Sequence, residues 1–327
     1  TNVRANVPGV PQHRWVSRVE ASHFDPATAY LTIEGHRSDD FKPYVFKTTD
    51  FGRSWTSLST TLPQDHPVYV IKEDLRNPDL LFLGTEFALF ASVDGGRNWS
   101  RFMNGFPTVP VHDLVIHPRD RDLIAGTHGR GIWIADDIGP LQQLTPAVLA
   151  RDAHLFENRV ATKWHGVSRG ATRGTFLFMG RNPLSIQQRA PANQAADLAN
   201  SAAIDFYLKD DPASPITLDI ASWDGTQTFS AQVPAQRGIN RYYWNLRFTP
   251  LAGPAAAGGG RGQVGGGRGA GAGGRGAGGG GRAGGGFGGG GPEAAAGTYR
   301  LRLTVAGRTL EGTVAVREDP DLAARAP

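Results

Sequence analysis

Thr48-Thr49-Asp50-Phe51-Gly52-Arg53-Ser54-Trp55 returns as Ser92-Val93-Asp94-Gly95-Gly96-Arg97-Asn98-Trp99, both reading [Ser/Thr]-x-Asp-x-Gly-x-[Ser/Asn]-Trp, and a worn copy follows at Ala135-Asp136-Asp137-Ile138-Gly139. Asp50, Asp94 and Asp137 are 44 and 43 residues apart. Self-similarity at a period of about 40–45 residues is the mark of propeller blades, each one four-stranded sheet. Around the second copy, Val68 to Glu73, Leu80 to Gly84, Leu89 to Ser92 and Trp99 to Phe102 read as the four strands. Pro78 ends the first turn because it has no N–H to give the ladder. The first blade aligns as Val16 to Ala21, Ala29 to Glu34 and Tyr44 to Thr48, and the third as Val111 to Ile116, Leu123 to Gly126 and Gly131 to Ala135. Leu83-Gly84-Thr85 matches Ala125-Gly126-Thr127, as a true repeat requires.

The octapeptide has an architectural reading. It lies in the hairpin between strands three and four, where Gly52 and Gly96 can take the positive φ of a tight turn. Asp50 and Asp94 can accept bonds from turn N–H groups, and Trp55 and Trp99 can pack between blades. Strand alternation puts these hairpins at one face of the disc, with the turns between strands one and two. The opposite face, where propellers gather binding residues, then carries the polar loop Gly35 to Pro43 with His36, Arg37, Asp39, Asp40 and Lys42, joined by Glu86, His128 and Arg130. His23, His66, His112 and His117 show no metal-site spacing, and no metal or cofactor is expected.

After Gly139-Pro140 the period stops. The expected fold is all-β: a partial β-propeller of about three four-stranded blades over 1–145, an irregular connector over 146–200, and a small antiparallel β-sandwich of immunoglobulin type over 201–327. Six runs supply the sandwich strands: Ala202 to Lys209, Ile216 to Ser222, Thr228 to Val233, Gly238 to Arg247, Thr298 to Ala306 and Arg308 to Arg317. A Gly-rich insertion over 252–297 is expected to be a disordered loop, since it is too poor in apolar residues to offset its backbone entropy.

The net charge of +4 is located in the Gly-rich stretch between Leu251 and Pro292. Arg261, Arg268, Arg275 and Arg282 are its only charges between Leu251 and Pro292, so the rest of the chain is neutral and gives no case for nucleic acid. Only Phe287 could stack on a base there. No apolar run reaches the roughly 18 residues of a membrane span. There is no cysteine, so no disulfide framework or thiolate metal site is available. The chain opens Thr1-Asn2-Val3 without an initiator Met, and three blades cannot close a ring, so the remaining blades are expected in a missing N-terminal part.

The octapeptide resembles the Asp-box, or bacterial neuraminidase repeat, of sialidases, xyloglucanases and sortilin-type receptors. Trp15-Val16-Ser17-Arg18-Val19, Phe24-Asp25-Pro26, Lys42-Pro43-Tyr44, Gly84-Thr85-Glu86, Pro110-Val111-His112-Asp113-Leu114 and Gly126-Thr127-His128-Gly129-Arg130 are similar to a bacterial family of secreted sortilin-like propellers followed by a sandwich. Gly238 to Arg247 and Ala296 to Leu301 resemble the closing strands of flagellar-hook-capping-type immunoglobulin-like modules. The resemblance implies an extracytoplasmic protein that binds a glycan or peptide on its propeller. The alternative it implies is a glycoside hydrolase, which needs two carboxyl groups about 5–5.5 Å or 6.5–9.5 Å apart. Asp40 and Glu86 are the candidate pair. A sialidase would need in addition an arginine cluster for the substrate carboxylate, for which Arg37 and Arg130 are available, and a tyrosine nucleophile, for which the sequence shows no matching Tyr.

Overall fold

The computed structural model describes residues 3–164, 200–249 and 291–320. Residues 165–199 of the connector expected over 146–200, and most of the Gly-rich insertion, lie outside them. Three antiparallel sheets open the chain. The first has the order β1 (Trp15–Ala21), β2 (Ala29–Gly35), β3 (Asp40–Thr48), β4 (Thr56–Ser57). The second repeats it as β5 (Val68–Glu73), β6 (Leu81–Thr85), β7 (Leu89–Ser92) and β8 (Ser100–Arg101). The third has only β9 (Val111–Ile116), β10 (Leu123–Thr127) and β11 (Ile132–Ala135). The inner strands β1, β5 and β9 run side by side, as in a propeller.

Apolar alternation packs the blades face to face. Tyr30 and Val45 of the first meet Val68, Ile71, Leu81 and Leu83 of the second. Val70, Phe82 and Leu89 on the far side of the second meet Val111, Leu114, Leu123 and Ala125 of the third. The outer face of the first blade is covered by the segment after residue 3, with Val7 and Val10 against Leu31, Ile33 and Phe46. The outer face of the third leaves Val115, Ile132 and Ile134 exposed.

The two octapeptide turns form the same bonds. Gly52 N–H donates to Thr48 Oγ1 (2.9 Å), while Asp50 accepts from Thr48 Oγ1 (2.8 Å), Ser54 N–H (2.9 Å) and Ser54 Oγ (2.6 Å). Gly96 N–H donates to Ser92 Oγ (2.9 Å), while Asp94 accepts from Ser92 Oγ (2.8 Å), Asn98 N–H (2.9 Å) and Asn98 Nδ2 (2.7 Å). Gly52 and Gly96 hold φ of +79° and +88° there, where an L side chain would be strained. In the worn copy Ala135 has no hydroxyl to give, Asp137 pairs with Arg121 at 3.1 Å, and the chain leaves through helix α1 (Gly139–Gln143) instead of a fourth strand.

The hydroxyl and amide of Ser54 and the hydroxyl of Thr48 hold Asp50 down to about 2 from 3.8. Between those values the unfolded chain binds a proton that the folded chain refuses. The stabilisation is therefore complete above pH 3.8 and is lost as the pH falls through about 2. Asp50→Asn is expected to flatten this acid limb in urea melts taken across the pH range, and to lower the melting temperature at neutral pH. An acid limb unchanged by the substitution would show that other groups carry it.

The first blade corrects one expectation. The loop Gly35 to Pro43 is mostly strand: β3 begins at Asp40, and only residues 36–39 connect it to β2. Asp39 makes the reversal with φ of 56°, and Tyr44 pairs with Ile33 while Asp40 pairs with Gly35. Three residues, Pro43 among them, thus bulge opposite one, which is where a strand tolerates proline.

The second half is a sandwich of two sheets. One has the order β12 (Ala153–Leu155), β14 (Ala202–Leu208), β17 (Gly238–Trp244). The other has the order β13 (Ala161–Lys163), β19 (Arg308–Glu318), β18 (Gly297–Val305), β15 (Ile216–Ala221), β16 (Thr228–Val233). β12 and β13 come from the segment expected to be an irregular connector, and β13 runs parallel to β19. Trp244 is fully buried between the sheets, its indole N–H donating to Arg247 O at 2.9 Å. The expected insertion over 252–297 is shorter at its far end: Ala294 is buried and its N–H donates to Leu246 O at 2.7 Å.

Sandwich and blades share a core, with Phe156 and Tyr207 packed among third-blade and second-blade residues. At the junction Arg241 grips Asp205 with two bonds (2.6 and 2.9 Å) and donates to Asp136 O and Asp137 O of the worn turn (3.3 and 3.1 Å).

Candidate functional site

Strand order puts the connections 36–39, 86–88 and 128–131 at one end of the blades and the octapeptide turns at the other. Phe51 N–H to Ala27 O (3.0 Å) and Gly95 N–H to Asp79 O (2.8 Å) tie those turns to the turns between strands one and two.

A feature repeated in all three blades builds the site. On each inner strand one residue is skipped by the ladder: Ser17 between Val16 and Arg18, Tyr69 between Val68 and Val70, and His112 between Val111 and Asp113. A bulge of this kind re-aims a side chain. Ser17 is spent on structure, bonded to Thr32 Oγ1 (2.7 Å) and Val68 O (2.9 Å). Tyr69 and His112 are aimed at one another, ring centroids 4.3 Å apart. His36 meets Tyr69 edge-on at 5.9 Å, and His128 stacks nearly parallel on His112 at 5.5 Å. The result is a row of four rings, His36, Tyr69, His112 and His128, crossing three blades.

Two carboxylates flank the row. Glu34 Oε2 is bonded to His36 Nδ1, and Glu86 Oε2 accepts from the Tyr69 hydroxyl. Burial, then the bond to Glu86 and the charges of Glu86 and Glu34, push the Tyr69 phenol above its usual range. Burial and neighbouring His128 pull His112 below its usual value, against the opposing pull of Glu86. The site therefore offers stacking faces, imidazole nitrogens and two acceptor carboxylates. Among the described residues no group of three His, Asp or Glu side chains is placed to hold a metal ion.

Of the residues expected here, His36 and His128 join the row and Glu86 is bonded to it through Tyr69. Arg37 lies over the Trp15 ring at 5.7 Å, beside the row. Asp40 is turned away to Arg14 (2.8 Å) and the Tyr44 hydroxyl (2.9 Å). Burial raises its pKa, and these two bonds outweigh that and keep it below the usual carboxylate range. Asp39, Lys42 and Arg130 are exposed, Asp39 at the reversal and Lys42 in the bulge of β3. Arg130 contributes its carbonyl to the Trp133 indole N–H at 3.1 Å. Glu34, Tyr69 and His112 were not expected. Their signal was positional: Tyr69 and His112 occupy the same place after Val68 and Val111 in two copies of the repeat.

No protein-family model and no curated protein matches the chain. Solved structures similar to it include a GH74 xyloglucanase from Xanthomonas campestris, at 20% identity over 40% of this chain and 22% of that one, TM-score 0.31. A GH74 enzyme from Niastella koreensis matches at 13% identity over 70% of this chain and 30% of that one, TM-score 0.31. The extracellular domain of a one-component system from B. thetaiotaomicron matches at 9% identity over 94% and 31%, TM-score 0.29. The chain thus spans less than a third of the length of each of these structures. The propeller-like architecture follows from the blade order and register themselves, and among the described residues no helix is long and apolar enough to cross a membrane.

Proposed function

We propose that the chain belongs to an exported propeller protein whose three blades bind a glycan or peptide across the row His36–Tyr69–His112–His128, with Glu34 and Glu86 as acceptors. The single observation that carries this reading is the row itself. Bulges on neighbouring inner strands turn Tyr69 and His112 out of the ladder and into contact. Rings that are partly exposed at His36 and Tyr69 and exposed at His112 and His128, with acceptor groups at their margins, suit the apolar face of a sugar or an aromatic peptide side chain, with hydroxyl or N–H groups bonded at the edges. Export is supported by the sequence resemblance to secreted sortilin-like propellers.

A glycan and peptide array probed with the full chain tests this, followed by titration of the best ligand against Glu86→Gln and Tyr69→Phe. A hydrogen bond to a charged acceptor is worth about 1.5–3 kcal/mol, so Glu86→Gln is expected to weaken binding about tenfold or more with the melting temperature little changed. Equal affinity in wild type and both variants would place the ligand elsewhere.

The hydrolase reading has one observation in its favour: Glu34 is bonded to His36 and Glu86 to Tyr69, and those two rings meet edge-on, so two carboxylates flank one pair of rings. In that case Glu34→Gln and Glu86→Gln would each cut turnover by about 10²–10⁴-fold. Asp40→Asn, committed to Arg14 and Tyr44, would leave it nearly intact.

A further inference from the structure

Among the described residues the third blade ends one strand short, and the first two blades define what fits the gap. Gly84, Leu83, Phe82 and Leu81 pair with Leu89, Phe90, Ala91 and Ser92, and Gly126, Ala125, Ile124 and Leu123 pair in the same way with Ile132, Trp133, Ile134 and Ala135. Trp133 and Ile134 therefore stand where Phe90 and Ala91 stand in the second blade, and there Phe90 and Ala91 pair with Arg101 and Ser100 of the fourth strand. Among the described residues nothing pairs with the outer edge of β11.

The residue entering that fourth strand is Trp99. Its ring is buried with Leu58 and Leu62, and its indole N–H donates to Leu58 O at 2.8 Å. Leu58 and Leu62 follow Trp55 by three and seven residues, as Phe102 and Phe106 follow Trp99. The backbone repeats as well: Leu58 N–H to Val45 O and Phe102 N–H to Leu89 O are both 2.8 Å, and Leu62 N–H to Ser59 O (3.1 Å) matches Phe106 N–H to Met103 O (3.0 Å). Phe102 and Phe106 thus form the floor of a third tryptophan slot. The residue five after Asp137, where a tryptophan follows Asp50 and Asp94 by five, is Gln142. Gln142 has left with α1 and donates to Asp74 at 2.8 Å. In the slot's place is a partly open cleft bounded by Phe102, Phe106, Leu123, Trp133 and Ala135.

We propose that β11 and this cleft form a binding site for an extended peptide segment carrying an aromatic residue, tryptophan above all. The segment adds antiparallel to β11, paired with Trp133 and Ile134, and seats its aromatic ring on Phe102 and Phe106. Backbone pairing at the free edge supplies affinity and the cleft supplies side-chain selection. The occupant's chemistry is set by the filled slot of the same chain, where Trp99 lies on Leu58 and Leu62, independently of any ligand at the ring row.

The probe is a synthetic peptide with the sequence Gly96-Arg97-Asn98-Trp99-Ser100-Arg101, fluorescently labelled and titrated into the full chain by anisotropy. Saturable binding with Kd below about 1 mM is expected. The same peptide with alanine for its tryptophan, and a version N-methylated at the residues facing β11, are each expected to bind about tenfold or more weakly. Trp133→Ala, at a residue already 38% exposed, should weaken binding with far-UV circular dichroism unchanged. No saturation by 1 mM, or equal binding of the tryptophan and alanine peptides, overturns the proposal. So does self-association of the chain that excludes the peptide, which would make a second copy the occupant.

Discussion

Asp205→Ala is expected to cost about 3–5 kcal/mol, because it strands a guanidinium that has no way to discharge itself. Both side chains of the Asp205–Arg241 pair are only 2% exposed. Arg241→Met should cost less, since burial already pushes the Asp205 carboxyl above its usual range and it can take a proton when its partner is gone. A carboxyl neutral in the folded state and ionised in the unfolded one loses stability as the pH rises, so the Arg241→Met deficit should grow toward alkaline pH. The double variant should recover part of the Asp205→Ala loss. Arg241 also holds the carbonyls of Asp136 and Asp137, and Phe156 and Tyr207 pack among blade residues. Blades and sandwich are therefore expected to unfold in one transition. Urea melts of the three variants and calorimetry of the wild type check this, and two separated transitions would show that the junction does not couple them.

The blades were legible because their signals are local. The octapeptide needs only its own eight residues to close: Thr48 or Ser92 bonds the aspartate and glycine, and Ser54 or Asn98 bonds the aspartate again. Strand boundaries that follow alternation, such as Ala202–Leu208 and Arg308–Glu318, came within a residue or two. What was missed is non-local. β12 and β13 are three residues long and owe their existence to partners about 50 and 150 positions away, Leu208 and Val316 among them. β3 was read short because Asp40, Phe41, Lys42 and Pro43 look like loop residues. The pairing of Asp40 with Arg14 and Tyr44, and the bulge that absorbs Pro43, are properties of the packed blade.

The site was half legible for the same reason. Alternation sorts loops onto faces, and His36, Glu86 and His128 lie on the connections it selects. Alternation cannot find Tyr69 or His112, since each sits in an inner strand where period two assigns it to one sheet face or the other. The bulge breaks that period, and it leaves no mark in a single copy. Only superposing Val68-Tyr69-Val70 on Val111-His112-Asp113 reveals two large polar rings at one repeat position. Asp40 is the opposite case: a carboxylate at the same end of its blade, at the start of β3, already bonded to Arg14.

Trp99→Ala is expected to cost about 3–5 kcal/mol, the range for emptying a buried large aromatic site, and Trp55→Ala markedly less, although both occupy the same place in the repeat. Trp99 is 7% exposed, and it joins the first blade to the second through Leu58, Leu62 and the bond to Leu58 O. Among the described residues no blade lies beyond Trp55. It packs with Val10 against the cluster of Val7, Leu31, Ile33 and Phe46, and its indole nitrogen is buried without a hydrogen-bond partner. One octapeptide thus has two different energetic consequences, set by what stands next to it. Its aspartate closes a hairpin within a blade, while its tryptophan measures whether a neighbour is present. Denaturant melts of the two variants, with equal m-values to confirm the same two-state transition, separate these contributions. Equal losses would mean that the segment around Val7 covers the first blade as tightly as another blade would.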